Sequence, residues 1–270
     1  MVEQMNVVIT GSTQGIGRGL AHEFLRRGHD VMISSRRPQA VDQVVSELRE
    51  EWPDRNIGGR VCDVADYGQV QNLWYRAVEI LGSVDIWVNN AGVETGADLF
   101  YKQERETIVR TVATNLIGLM YCNQIAINGM YRQEHGGKIF NMEGFGSNGM
   151  VRPRVSVYGS TKCAVRHFTK SMALELKGSK VKVCYLSPGI VITDLLVPSP
   201  EKRGPGWEES KKILNLLADT VETVTPFLVE GMLHVKEGGE AVRWLTPQKV
   251  MKRKFMSYFK KRDIFTPLGL

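Results

Sequence analysis

The chain has 270 residues, 43% of them hydrophobic and 24% charged, with 27 glycines and 10 prolines. This is the composition of a globular protein with a sizeable core, and it excludes disordered, collagen-like and coiled-coil chains. The net charge of +6 is local: Lys249 to Arg262 holds seven basic residues and no acidic one, which leaves −1 for the remainder and no field suited to nucleic acid.

The first predicted strand, Asn6–Thr10, runs into Gly11-Ser12-Thr13-Gln14-Gly15-Ile16-Gly17 and a helix over Ile16–Arg27. Glycines between a strand and a helix let the backbone approach a pyrophosphate, whose charge is favoured by the free N–H groups of the helix start. The second strand, Asp30–Ser34, ends in Ser35-Arg36-Arg37, where an NAD-specific site would carry an acidic residue for the ribose 2′-hydroxyl. A guanidinium here suits a 2′-phosphate, so NADP(H) is expected in preference to NAD(H), with Ser35 and Arg36 as its partners.

A helix over Gln39–Glu51 leads to strand Ile57–Cys62, followed by Asp63 and Val64, and a helix over Tyr67–Ile80 leads to strand Asp85–Val88, followed by Asn89-Asn90-Ala91-Gly92. These strand ends suit the adenine and ribose of a cofactor lying across the sheet edge. A long helix over Glu104–Arg132, a fifth strand over Lys138–Asn141, a helix over Val157–Lys177 and a sixth strand over Val181–Leu186 come next. Tyr158 and Lys162 share a face near the start of that helix. The spacing recurs by chance, and its place on the edge of the glycine turn gives it weight. An ammonium beside a tyrosine favours the phenolate and brings the group toward a useful acid–base range.

After Pro188 the alternation breaks into a Pro-, Ser- and Gly-rich stretch and two helical patterns, and 194–234 is expected to form a substrate lid at the ligand-binding edge. The last strand is Ala241–Leu245. Alternating strands and helices over the whole length predict one α/β domain, a doubly wound parallel sheet of about seven strands with helices on both faces.

No stretch reaches 18 consecutive apolar residues, and Met1 to Asn6 has no basic-then-apolar run, so a cytoplasmic chain without signal or transit peptide is expected. Cys62, Cys122, Cys163 and Cys184 form no CxxC pair and are expected as reduced core thiols. The five histidines form neither HxH nor HExxH, so no metal is expected.

Together these motifs resemble the short-chain dehydrogenase/reductase family over nearly the whole chain, which implies a Rossmann-type fold. The resemblance implies that Gly11, Gly15 and Gly17 bind the pyrophosphate, that Asp63 holds adenine, and that Asn90, Ala91 and Gly92 support the cofactor. It further implies that Pro188, Gly189, Val191 and Thr193 meet the nicotinamide. Tyr158 matches the catalytic acid, Lys162 the ribose-binding lysine and Asn115 the asparagine of the proton relay. One departure stands out: Gly144 occupies the place of the usual serine that holds the substrate carbonyl. Either Ser147 reaches in, or a backbone N–H polarises the carbonyl, or Tyr158 holds it alone.

The run Ile139-Phe140-Asn141-Met142-Glu143-Gly144, and Ala241 to Pro247, look like the branch containing plant chlorophyll b reductases. That resemblance implies reduction of the formyl group of chlorophyll(ide) b. The other readings are a reductase or dehydrogenase of a steroid, acyl thioester or other apolar ketone or alcohol, and a catalytically silent sensor or scaffold. Family members are commonly homodimers or homotetramers built through two helices, here Glu104–Arg132 and Val157–Lys177. Finally, Met251, Phe255, Tyr258 and Phe259 recur at helical spacing among basic residues. A helix over 247–262 then either packs its apolar stripe on the domain, or lines the substrate entrance, or rests on an anionic membrane.

Overall fold

The structure, a computed structural model, describes residues 4–95, 98–197 and 207–268. The elements in chain order are β1 (Asn6–Ile9), α1 (Gly15–Arg26), β2 (Asp30–Ser35), α2 (Pro38–Glu51), β3 (Ile57–Val61), α3 (Tyr67–Leu81), β4 (Ile86–Asn89), α4 (Arg105–Val112), α5 (Leu119–Arg132), β5 (Gly137–Met142), α6 (Ser156–Glu175), β6 (Val181–Ser187), β7 (Ile190–Val191), α7 (Trp207–Leu217), β8 (Ala218–Asp219), α8 (Val221–His234), β9 (Ala241–Arg243) and α9 (Pro247–Met256). Seven strands make one parallel sheet in the order β3-β2-β1-β4-β5-β6-β9. The expected sheet is therefore present, and its winding reverses between β1 and β4, where a crevice opens.

Both faces of the sheet are covered, so its strands are apolar at successive positions rather than alternately. Val7 and Ile9 point toward Leu20 and Phe24 of α1, Leu48 of α2 and Leu228 of α8, whereas Val8 points toward Leu73 and Trp74 of α3 and Ile125 of α5. All seven expected strands form, within one or two residues of their ends.

The long fourth helix departs from expectation. It is broken into α4 and α5 by a π-helical turn over Ala113–Gly118, which carries Asn115. Gly118 lies against Val64, where an added Cβ would stand 2.8 Å from the Val64 carbonyl oxygen. Single π turns of this kind commonly sit at functional sites.

The expected lid over 194–234 needs correction, and part of it, 198–206, lies outside the described residues. Its second half, α8, is a core helix: Val224, Leu228, Val229 and Met232 are fully buried on the sheet face shared with α1. The described residues 207–219 before it stand apart from the main core. β8 pairs with β7, which precedes the expected lid, as a separate two-stranded parallel sheet, and Leu214 and Ala218 join Ile192, Ile264 and Phe265 in a small cluster of their own. Strands of two residues each carry no periodicity that a sequence could display. Cys163 is a second correction: it is exposed on α6, whereas Cys62, Cys122 and Cys184 are buried as expected.

Beside α4 and α6, a hollow of about 390 Å³ is lined by Phe100, Val112, Leu116, Val157, Thr161 and Ala164. Val109 of α4, Ile117 of the π turn, Met120 of α5 and Leu174 of α6 are exposed.

Candidate active site

Parallel strands all end at one edge, so the turns after β1, β2, β3, β4, β5 and β6 are brought together there. Thr10 Oγ1 accepts from the N–H groups of Asn90 and Ala91, both at 3.1 Å, and Asn90 Nδ2 donates to the carbonyls of Thr10 and Gly11 at 2.9 and 2.8 Å. Gly11 has φ +64°, and a Cβ on it would stand 2.8 Å from Ala91 Cα. The turn therefore requires glycine both for its backbone angle and for this close approach.

Gln14, at the N-cap of α1, gives no side-chain cap, so the first-turn N–H groups stay available to an anion. Arg37 hydrogen-bonds Gln14 Oε1, and Arg36 Nη1 lies 4.0 Å from Asp63 Oδ2. A side-chain-free cradle, an uncapped helix start and two guanidiniums fit a phosphorylated dinucleotide. Thr193 closes the cradle from the other side, its methyl facing Gly15. Gly189 turns with φ +75° beside Leu245, and Val191 is buried in β7.

Not every expected binding residue offers its side chain. Ser12 is fully buried, its hydroxyl donating to Ile9 O at 2.7 Å and accepting from Ser34 N at 2.9 Å. It ties the end of β1 to β2, and its own N–H donates to Ser34 O at 2.9 Å, so neither its side chain nor its N–H is open to a ligand. Val64 is likewise buried, against Gly118, and Asp63 Oδ1 accepts from Ala65 N at 3.0 Å.

Asn115 and Lys162 meet at the turn after β4, and Lys162 and Tyr158 meet at Gly144 after β5. Lys162 Nζ donates to Met142 O at 3.0 Å and stands 5.8 Å from the centre of the Tyr158 ring. The Asn115 amide accepts from Val93 N and donates to Val93 O, both at 2.8 Å, which pins the Asn89–Gly92 turn to the π turn. A Cβ on Gly92 would lie 3.5 Å from Asn115 Oδ1 and 3.9 Å from Lys162 Nζ.

The acid–base balance reverses one expectation. Burial pushes the Tyr158 hydroxyl up from its ordinary value, and the Glu94 carboxylate adds to the shift. Lys162 is brought down to about 8, chiefly by burial, with Glu143 opposing. In the free protein Tyr158 thus holds its proton firmly. That is the form a proton donor needs; the lysine does not draw it toward phenolate.

The serine position is decided by packing. A Cβ on Gly144 would fall far inside contact distance of Tyr158 Oη and 3.2 Å from Lys162 Cγ and Cε. The Tyr158 hydroxyl occupies the room that a serine side chain would take. Ser147 does not replace it: its hydroxyl donates to Gly144 O at 2.5 Å and accepts from Gly144 N at 2.9 Å. Its only proton is committed to this turn, and so is the Gly144 N–H, so neither is placed to polarise a substrate carbonyl.

Three features escaped the sequence reading. Glu143 is buried between Arg166 at 3.4 Å and Arg243 at 3.8 Å, and shapes the field at Lys162. A carboxylate directly after the buried run Ile139–Met142 was the available signal. Arg37, not only Arg36, reaches the cradle. Asp219 is a buried hub that accepts from Arg253 at 2.7 and 2.8 Å, from Arg262 at 2.9 Å and from Trp244 Nε1 at 2.6 Å. Partners 25 to 43 residues away leave no local trace.

Residues 5–204 match the family description short chain dehydrogenase. The chain belongs to this family. Among its relatives is a probable chlorophyll(ide) b reductase, NYC1, chloroplastic, of Oryza sativa subsp. japonica, 41% identical over 91% of this chain and 51% of the relative. Another is the chlorophyll(ide) b reductase NOL, chloroplastic, of the same plant, 39% identical over 94% of this chain and 75% of the relative. The chain thus spans about half the length of NYC1. A 3alpha-hydroxysteroid dehydrogenase of Mediterraneibacter gnavus is 33% identical over 74% of this chain and 79% of its own length. Among solved structures, a short-chain type dehydrogenase/reductase from Mycobacterium marinum superposes with a TM-score of 0.76 at 25% identity, covering 90% of this chain and 95% of the other.

The packing yields a prediction opposite to the usual family preference. Gly144→Ala should displace the Tyr158 hydroxyl and lower turnover at least tenfold (about 1.4 kcal/mol) while NADPH affinity is kept. Ser147→Ala, by contrast, should cost about 1–2 kcal/mol of folding stability through the unpaired Gly144 N–H. Steady-state kinetics and urea unfolding check the pair; unchanged turnover in Gly144→Ala contradicts the packing argument.

Proposed function

We propose that the protein is an NADPH-dependent carbonyl reductase whose proton donor is Tyr158. The observation that carries this reading is the Tyr158 hydroxyl, kept protonated by burial and lying on Gly144 next to Lys162, at the edge that holds the dinucleotide cradle. When bound, the dinucleotide supplies the hydride. Gly11, Gly15, Gly17 and the α1 start hold its pyrophosphate, Lys162 faces its ribose, and Val191 and Thr193 border the nicotinamide side. Arg36 and Arg37 favour a 2′-phosphate, because two guanidiniums and no carboxylate follow β2 directly. Tyr158 Oη hydrogen-bonds the substrate carbonyl oxygen and then delivers its proton as charge builds there. With Ser147 committed to Gly144, Tyr158 does both tasks.

For the substrate, the formyl group of chlorophyll(ide) b is the preferred reading, supported by similarity to NYC1 and NOL over nine-tenths of the chain. Glu143-Gly144 in place of the usual serine, and the Gly144 packing, are in keeping with it. An apolar ketone such as a steroid is the second reading, supported by the 3alpha-hydroxysteroid dehydrogenase relative. The exposed faces of α4, α5 and α6 and the apolar hollow beside them suit a homodimer or homotetramer. Light scattering should return two or four chain masses; a single chain mass contradicts that assembly.

The decisive assay follows conversion of chlorophyllide b to its hydroxymethyl product with NADPH or NADH, alongside Tyr158→Phe. Conversion favouring NADPH, and at least 100-fold slower in the variant, is expected. Full activity in Tyr158→Phe overturns the mechanism. NADPH binding without conversion of the pigment moves the substrate to the apolar-ketone class, and binding without turnover of either class leaves the sensor or scaffold reading.

A further inference from the structure

The helix expected over 247–262 ends at Met256, with Tyr258 and Phe259 in the turn that follows, and this C-terminal element is built the wrong way round for one that packs its apolar stripe on the domain. Met251 is 66% exposed, Phe255 63%, Tyr258 78% and Phe259 73%, and α9 has no buried residue. Phe255 and Phe259 lean on each other, ring centres 5.3 Å apart, instead of on the body. What faces inward is charge. Arg253 clasps Asp219 with two hydrogen bonds and donates to Leu217 O at 2.8 Å, while Arg262 donates to Asp219 and to the carbonyls of Leu216 and Ala218. This arrangement decides the orientation: on a helical projection Arg253 lies roughly opposite Met251 and Phe255.

The remaining cations border the outward stripe. Lys252, Lys254, Lys260 and Lys261 are exposed, and no acidic residue occurs between Lys249 and Arg262. The neighbouring Asp263 carboxylate is turned onto the N–H groups of Phe265 and Thr266 at 3.1 Å. Aromatic and methionine side chains flanked by lysines match a lipid interface, where rings enter the headgroup layer and ammonium groups meet anionic phosphates. No described helix is long and apolar enough to cross a membrane, so contact would be from one side.

Placement adds to this. The helix leaves the C-terminal end of β9, on the sheet edge that carries the candidate active site. Its anchor, Asp219, also holds Ile192 beside the nicotinamide segment, through Ile192 N to Asp219 O at 2.9 Å. A surface docked on this helix therefore lies beside the edge where substrate enters.

We infer that the face formed by Met251, Phe255, Tyr258, Phe259 and the flanking lysines docks the protein on an anionic lipid bilayer. This holds whichever carbonyl the site reduces. The test is sedimentation of the full chain with phosphatidylcholine vesicles, with and without about a third phosphatidylglycerol. Three proteins are compared: wild type, Lys252→Gln with Lys254→Gln, and Phe255→Ser with Phe259→Ser, each checked for folding by circular dichroism and NADPH binding.

Binding to the anionic vesicles alone is expected, weakened by salt. The lysine pair should lose about 25-fold, roughly fivefold per charge, and the aromatic pair at least about tenfold. Absence of binding, equal binding to neutral vesicles, or variants that bind like wild type overturns the inference. So does a fall in chain mass by light scattering in the aromatic pair with vesicle binding unchanged, because the face would then be a contact between two copies.

Discussion

The catalytic edge depends on a buried chain of amides beneath it. Asn141, near the end of β5 and fully buried, accepts from Asn89 of β4 at 2.8 Å and from Asn123 of α5 at 2.9 Å, and donates to Thr169 of α6 at 3.0 Å. Asn89 in turn accepts from Trp87 Nε1 at 2.8 Å. Two strands and two helices are thereby held in one register directly below the turns after β4 and β5. A buried amide is costly if left unpaired, so a slip of any one element would strand its partners. The network permits one relative placement of the Asn90 turn, Gly144 and the face of α6 that carries Lys162.

On that platform, the site is shaped as much by missing side chains as by present ones. Gly11 and Gly17 let the glycine turn close on the Asn90–Ala91 turn, Gly92 leaves Asn115 and Lys162 within reach of one another, and Gly144 leaves room for the Tyr158 hydroxyl. The same enclosure sets the electrostatics. Removal from water disfavours both the phenolate of Tyr158 and the ammonium of Lys162. The proton consequently sits on the tyrosine in the free protein, and the Glu143 carboxylate, flanked by Arg166 and Arg243, partly restores the lysine charge.

Much of this was legible in the amino-acid order, for identifiable reasons. A strand buried on both faces is a short apolar run, so Val7-Val8-Ile9, Val31-Met32-Ile33 and Ile86-Trp87-Val88 stand out between helical periods. The glycine turn was readable because it follows β1 directly, and Tyr158 and Lys162 because they share a face in the first turns of the helix between β5 and β6, while the parallel order sends all strand ends to one edge. Long-range pairing was not readable. Asp219 meets Trp244, Arg253 and Arg262 only in three dimensions, and β7 and β8 are too short to show a period. Amphipathic spacing at Phe255 and Phe259 was visible, but which face turned inward depended on that distant aspartate. Ser147 was a reasonable substitute on proximity in sequence, and only geometry reveals that its proton is donated to Gly144. Likewise α8 reads as part of an insertion, although Val224 and Leu228 make it part of the core.

The central claim is that one hydroxyl, on Tyr158, both holds and protonates the substrate carbonyl while Ser147 stays in its turn. A crystal structure with oxidised cofactor and an unreactive carbonyl analogue tests it most directly. The account predicts Tyr158 Oη at hydrogen-bond distance from the carbonyl oxygen, with Ser147 Oγ still bonded to Gly144. A carbonyl oxygen held by Ser147 Oγ instead, or lying beyond reach of Tyr158, would contradict it.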